Sequence, residues 1–277
     1  MKRSMVAFVL LVWFCAVNPV LAGQGQWAGF LYLVPKASSE LGADQKARMV
    51  EEIKEAAREF HNDFKPDSQA QDTIEFLKGV KFDLMGKAVE GPSPVALIRV
   101  ESANIQKVDD FFATVGPVIG EWFFLDFRMG VTGQLNYTNT ETLARLKKEA
   151  PKRGDGKEQP NAVVFPLSKN AEWWALPTDR RTELFSSHED KFGKGHLGHN
   201  GVGFLYISKI YRKLYHSRFI DPQQDFMTYF EFADTDKPVF ESLLSGLRDT
   251  AKNQEWKYVK EGPIFWGKRV EGPAGLF

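Results

Sequence analysis

Cysteine is nearly missing from this chain. Its one copy, Cys15, lies in an apolar stretch near the N-terminus. Without Cys further on, there is no disulfide framework and no cysteine–metal site. Covalent c-type haem attachment is excluded as well, because Cys-x-x-Cys-His does not occur. An excess of charge is also lacking: 36 Lys and Arg balance 36 Asp and Glu. No basic run or stripe suggests nucleic acid as a partner. Apolar runs long enough to span a bilayer are absent too. The best candidate, residues 5–17, is short for a span. It follows Lys2-Arg3 and precedes Val20-Leu21-Ala22, which puts small residues at the −3 and −1 positions of a cleavage site. This pattern predicts a secretory signal over residues 1–22, a periplasmic location, and no membrane association once it is cleaved. An uncleaved anchor is the alternative. Cleavage would remove Lys2, Arg3 and Cys15, leaving a thiol-free chain with a net charge of −2.

What is present reads as a globular protein. Hydrophobic residues make up 43% and charged residues 26% of the 277. Phe occurs 23 times, which suits packed sheets and apolar pockets. Periodicity divides the chain into two halves of similar order. In the first, 27–35 reads as a strand, 44–64 as a helix, 80–87 and 95–100 as strands, 105–122 as a helix and 125–132 as a strand. In the second, 162–167 is a strand, 177–192 a helix, 207–216 and 225–232 strands, 237–252 a helix and 263–269 a strand. Strand–helix–strand–strand–helix–strand is the ferredoxin-like unit. The predicted fold is therefore α+β, with two ferredoxin-like units in tandem over 23–148 and 161–277. The charged, Gly- and Pro-containing stretch 149–160 reads as the linker.

Three segments of the second half stand out. The first ends in Lys169-Asn-Ala-Glu-Trp173-Trp174, the second is Tyr211-Arg212-Lys-Leu-Tyr-His-Ser217, and the third is Asp225-Phe-Met-Thr-Tyr-Phe-Glu231. On a strand through the second segment, Ile210, Arg212, Leu214 and His216 share one face. An arginine between aliphatic residues is unusual there, because an unpaired guanidinium is costly to bury. An edge-strand arginine reaching water or a carboxylate is the plainer explanation.

In this order the three segments resemble the chlorite dismutase family, which also includes coproheme decarboxylases. The resemblance is close over roughly 160–270 and weaker over 83–138. It implies a dimeric α+β barrel-like fold, non-covalent haem b, conversion of chlorite to chloride and dioxygen, and a homo-oligomer, a pentamer for the longer subunits. It places Arg212 as the distal arginine, where the decarboxylase branch usually has Gln. It places Lys169 as the partner of a haem propionate, Trp173 and Trp174 beside the haem, and Tyr137 in contact with the haem or its propionates. Glu255 is the candidate to accept the axial histidine's N–H.

The axial ligand itself stays open between His188 and His199, with His196 as a third candidate. Spacing from Trp173-Trp174 leads to His188, one turn after Leu184 and Phe185 on the expected helix. Spacing back from Arg212 leads to His199, with about eleven extra residues between the two anchors. Gly193, Gly195 and Gly198 argue against one helix continuing to His199. His188, His196 and His199 could alternatively ligate zinc. A haem binder without turnover and a coproheme decarboxylase also remain as alternatives; the signal sequence and Arg212 oppose the latter.

Overall fold

A computed structural model describes residues 25–36, 41–62, 72–133, 137–138, 140–150 and 159–277. The expected signal over 1–22 and most of the expected linker lie outside these residues. In chain order, the first half comprises β1 (Trp27–Pro35), α1 (Ala43–Asn62), β2 (Thr73–Leu84), β3 (Lys87–Ala88), β4 (Ala96–Ser102), α2 (Ile105–Gly120) and β5 (Phe123–Thr132). A connecting helix, α3 (Thr140–Glu149), follows. The second half runs β6 (Asn161–Lys169), α4 (Ala171–Ala175), α5 (Thr178–Phe185), β7 (His188–Glu189), β8 (Gly195–His196), α6 (Gly198–Phe204), β9 (Tyr211–His216) and β10 (Phe226–Phe232). It ends with α7 (Lys237–Arg248), a 3₁₀ turn (Gln254–Tyr258), β11 (Val259–Glu261) and β12 (Ile264–Val270).

The main strands of the two halves join in one sheet, ordered β10-β9-β5-β1-β4-β2-β12-β6, and β10 pairs again with β6. The sheet is thus a closed antiparallel barrel. Within each half the strand order is that of a ferredoxin-like unit: β5-β1-β4-β2, then β12-β6-β10-β9. Closure pairs the outer strands of the two halves, so these eight strands have no long free edge.

Strands buried on both faces carry continuous apolar runs rather than alternation. In β1 (WAGFLYLVP) and β4 (ALIRVES), one face meets the barrel interior and the other meets helices. Outside the first half, α1 and α2 cover the sheet around Met49, Ile53, Val108 and Phe111. Outside the second half, α7 packs Phe240, Leu243, Leu244 and Leu247 against Phe165, Phe230 and Phe232.

The barrel interior is partly polar. Arg99, which is fully buried, contacts Glu75 at 3.0 Å and also reaches Glu101 and Tyr215. Arg269 holds Glu231 at 2.7 Å, and Lys213 holds Glu101. Burial alone would lower the pKa of Arg99; Glu75, Tyr215 and Glu101 more than reverse this and keep it charged.

Four elements differ from the sequence reading. The helix expected over 177–192 stops at Phe185 and gives way to a β7–β8 hairpin. Ser186 is extended, and Asp190 closes a turn whose Gly193 has φ +76°. The strand expected from 207 begins only at Tyr211, because residues 205–209 continue the end of α6 as turns. The helix α3 was not anticipated at all. The order of elements in the two units is otherwise the one expected, although β2 spans Thr73–Leu84 where a strand over 80–87 was expected.

Candidate active site

A cavity of about 560 Å³ lies between the outer face of the second-half sheet and α4 to α7. Its walls are mostly apolar and include Leu167, Phe230, Leu243 and Leu247. Strand β9 forms one side. Ile210, Arg212, Leu214 and His216 face the cavity, while the alternate residues Lys213 and Tyr215 join the barrel interior. Period-two alternation thus sends one strand's cations to two separate sites.

His199 stands across from Arg212. It is the second residue of α6, and the chain enters this helix through Gly198, whose backbone is left-handed at φ +67°. A Cβ at 198 would lie 2.3 Å from the Ser186 carbonyl oxygen, so only glycine fits. The ring of His199 is buried and stacks on Phe185, with centroids 4.8 Å apart and planes 28° from parallel. Trp256 lies beyond it at 6.4 Å.

Its tautomer follows from its partners. Arg212 Nη1 donates to Nε2 at 3.1 Å, and guanidinium has no acceptor. The ring proton is therefore on Nδ1, which donates to Glu255 Oε2 at 3.2 Å. Burial first, then Arg212 and Lys169, hold the pKa of His199 well below its ordinary value. The imidazole is neutral, and its Nε2 lone pair meets Arg212 at the cavity wall. That is the form in which histidine ligates metals.

Glu255 is itself held. Its carboxylate is ion-paired with Lys169, and Asn253 Nδ2 lies 3.4 Å from Oε2. Lys169 sits at the end of β6, with Nζ 4.3 Å from the Trp173 ring centroid. Burial, with repulsion from Arg212, lowers its pKa well below the usual lysine range, and Asp225 opposes the shift. Arg212 is reached by water through the cavity but is surrounded by protein. Desolvation lowers its pKa to about 10. It therefore remains cationic at neutral pH.

The other candidates have distinct places. Trp173 is buried against Tyr137, Phe185 and Tyr258. Trp174 lines the cavity mouth, where the Arg218 guanidinium carbon lies 3.5 Å from its ring centroid. Tyr137 lines the cavity and packs on Phe185 at 4.8 Å. Lys169 contacts Glu255, so in this structure it belongs to the histidine's support. His188 is outside the cavity. Its helical register does not exist; it sits on β7, its Nδ1 donates to the Ser186 carbonyl at 2.9 Å, and its ring stacks on His196. The expectation that spacing from Trp174 finds the cavity histidine is thereby corrected: the hairpin intervenes. His196 is with His188 rather than with His199. Among the described residues, no three His, Cys, Asp or Glu side chains are arranged to hold a metal ion.

Phe185, Asn253, Trp256 and Arg218 were missed in the sequence. Trp256 adjoins Glu255 and could have been found as an aromatic beside a candidate acid. The other three carry no local signal.

A closed α+β barrel with one neutral, carboxylate-backed histidine facing an arginine defines the class. The sequence profile described as Chlorite dismutase matches residues 126–270. The chain belongs to the chlorite dismutase family. A curated relative, the chlorite dismutase of Ideonella dechloratans, is 25% identical over 195 residues. That match spans 64% of this chain and 64% of the relative's length. A chlorite dismutase structure from Candidatus Nitrospira defluvii with imidazole has a TM-score of 0.65 at 22% identity, covering 90% of this chain and 93% of that one. A variant of that protein with cyanide has a TM-score of 0.66 at 19% identity, covering 92% and 95%. These structural likenesses bear on the fold.

Proposed function

We propose that the cavity binds haem b through His199 and that the protein converts chlorite to chloride and dioxygen. The observation that carries this reading is the line Lys169–Glu255–His199–Arg212. It combines a neutral imidazole, a carboxylate behind it and a fixed cation in front. The fit to a porphyrin rests on this donor set and on an apolar, aromatic-lined cavity within the usual range for bound cofactors. Bound haem would supply the iron centre at which oxygen is transferred and the O–O bond is made.

The chain's own residues would do the rest. His199 Nε2 would hold the iron. Glu255, accepting the Nδ1 proton, makes the imidazole a stronger donor and fixes its orientation. Lys169 keeps that carboxylate in place. Once Nε2 is engaged, the N–H groups of Arg212 are free for an anion. A guanidinium at neutral pH cannot take a proton, so Arg212 would act as a clamp on chlorite, not as a base. The apolar walls lower the local dielectric and strengthen that attraction. The test is oxygen evolution from chlorite by haem-loaded protein on an oxygen electrode. Stoichiometric oxygen and chloride are expected; a Soret band without oxygen would reduce the reading to haem binding.

The reading extends to export through residues 1–22 into the periplasm and to a homo-oligomer, a pentamer by family resemblance. Native mass spectrometry of the mature protein tests the latter: a monomer would contradict it.

A further inference from the structure

The hairpin that separates His188 from His199 is fastened to the segment that carries Glu255. A two-stranded hairpin of this size is not stable alone. Asp190 Oδ1 accepts from the backbone N–H groups of Phe192 at 2.9 Å and Lys194 at 3.0 Å, which shapes its turn. Its base lies on residues 251–255. His196, 6% exposed, donates from Nδ1 to the Ala251 carbonyl at 2.8 Å. Its Nε2 lies 2.8 Å from the Gln254 side-chain nitrogen and 3.3 Å from Asp190 Oδ2. The Gln254 amide lies between two imidazoles, with Oε1 3.3 Å from His188 Nε2. The Gly198 N–H donates to the Lys252 carbonyl at 3.1 Å.

These bonds fall on Ala251, Lys252 and Gln254, directly before Glu255. From the same stretch, three residues after His196, comes His199, whose Nδ1 meets Glu255. The two chain segments are thus joined at three places: His196 with Ala251 and Gln254, Gly198 with Lys252, and His199 with Glu255. The His196 contacts are the side-chain ones that limit how Glu255 can approach His199.

We propose that the β7–β8 hairpin is a positioning clasp. Through His196 and Gln254 it fixes Glu255 against His199 and thereby sets how electron-rich the imidazole is. This rests on the reading that His199 ligates haem iron. A carboxylate held at hydrogen-bond distance raises the basicity of a ligating histidine, and loosening it lowers that basicity.

The experiment compares wild-type protein, His196→Ala, His196→Asn, Glu255→Gln and the double variant His196→Ala/Glu255→Gln. The iron–histidine stretch is read by resonance Raman in the ferrous, haem-loaded proteins. Haem affinity is read by titration, and amide exchange over 251–256 is read in the haem-free proteins. His196→Ala is expected to move the stretch to lower frequency, to weaken haem binding by about 10-fold, and to speed exchange over 251–256. Asn can still donate toward Ala251 and is expected to restore most of the loss. Because the clasp acts through Glu255, adding His196→Ala to Glu255→Gln should cost little more than Glu255→Gln alone. A wild-type stretch and affinity in His196→Ala, or full additivity in the double variant, would overturn the clasp while leaving haem binding intact. Wild-type protein with no Soret band would instead overturn the functional reading beneath it, and the exchange data would then show separately whether the hairpin holds 251–256.

Discussion

Replacing Arg212 by Gln removes the cation that faces His199 without emptying its place. Gln is also a donor, but it is uncharged. Arg212 is cationic at neutral pH, since burial lowers its pKa only to about 10. It projects from β9 beside Leu214 into a cavity lined mostly by apolar side chains, with Leu167, Phe230, Leu243 and Leu247 around it. A charge-assisted hydrogen bond to an anion contributes about 1.5–3 kcal/mol. At about 1.36 kcal/mol per decade, its loss should slow chlorite turnover by ~10–100-fold. The haem spectrum should stay near that of the wild type, because His199, Glu255 and Lys169 are untouched. Initial rates on an oxygen electrode, normalised to Soret absorbance, give the ratio. Undiminished kcat and kcat/KM in Arg212→Gln would refute the clamp and make the arginine structural.

Three further outcomes are expected. Arg99→Met leaves Glu75 and Glu101 short of a cation inside the barrel, and breaking such a buried network costs about 3–5 kcal/mol; urea unfolding at neutral pH measures it, and a loss under about 1 kcal/mol would contradict the role given to Arg99. Gly198→Ala forces a left-handed backbone and a clash with Ser186 O, so it should cost about 1–3 kcal/mol and weaken haem binding, whereas Gly116→Ala in α2, with open space around its Cβ position, should do neither. Mass spectrometry of protein secreted by its native host should find an N-terminus at Gly23, and an intact Met1 would remove the export reading.

The sequence was most legible where one period governed a whole element. The β9 alternation separated Arg212 from Lys213 and Tyr215, because a barrel wall gives each strand face its own environment. Strand–helix–strand–strand–helix–strand order likewise specified two ferredoxin-like units. Closure into a barrel was not in the periodicity; it depends on pairing β2 with β12 and β5 with β9, contacts between residues far apart in sequence. The histidine was ambiguous for a local reason. Leu184 and Phe185 continue a helical pattern as far as His188, but Ser186 leaves the helix and Gly198 starts another. Spacing from Trp174 stopped at His188, where the hairpin begins, one insertion short of α6. Spacing from Arg212 did not cross the hairpin. Glu255 is carried by a 3₁₀ turn.

The most direct test of the account is a haem titration of three proteins: wild type, His199→Ala and His188→Ala. His199 Nε2 faces the cavity, and His188 is outside it. Wild type and His188→Ala should therefore give the same saturable Soret band, and His199→Ala should lose it. A normal band in His199→Ala, or its loss in His188→Ala alone, would contradict the assignment of the cavity as the haem site.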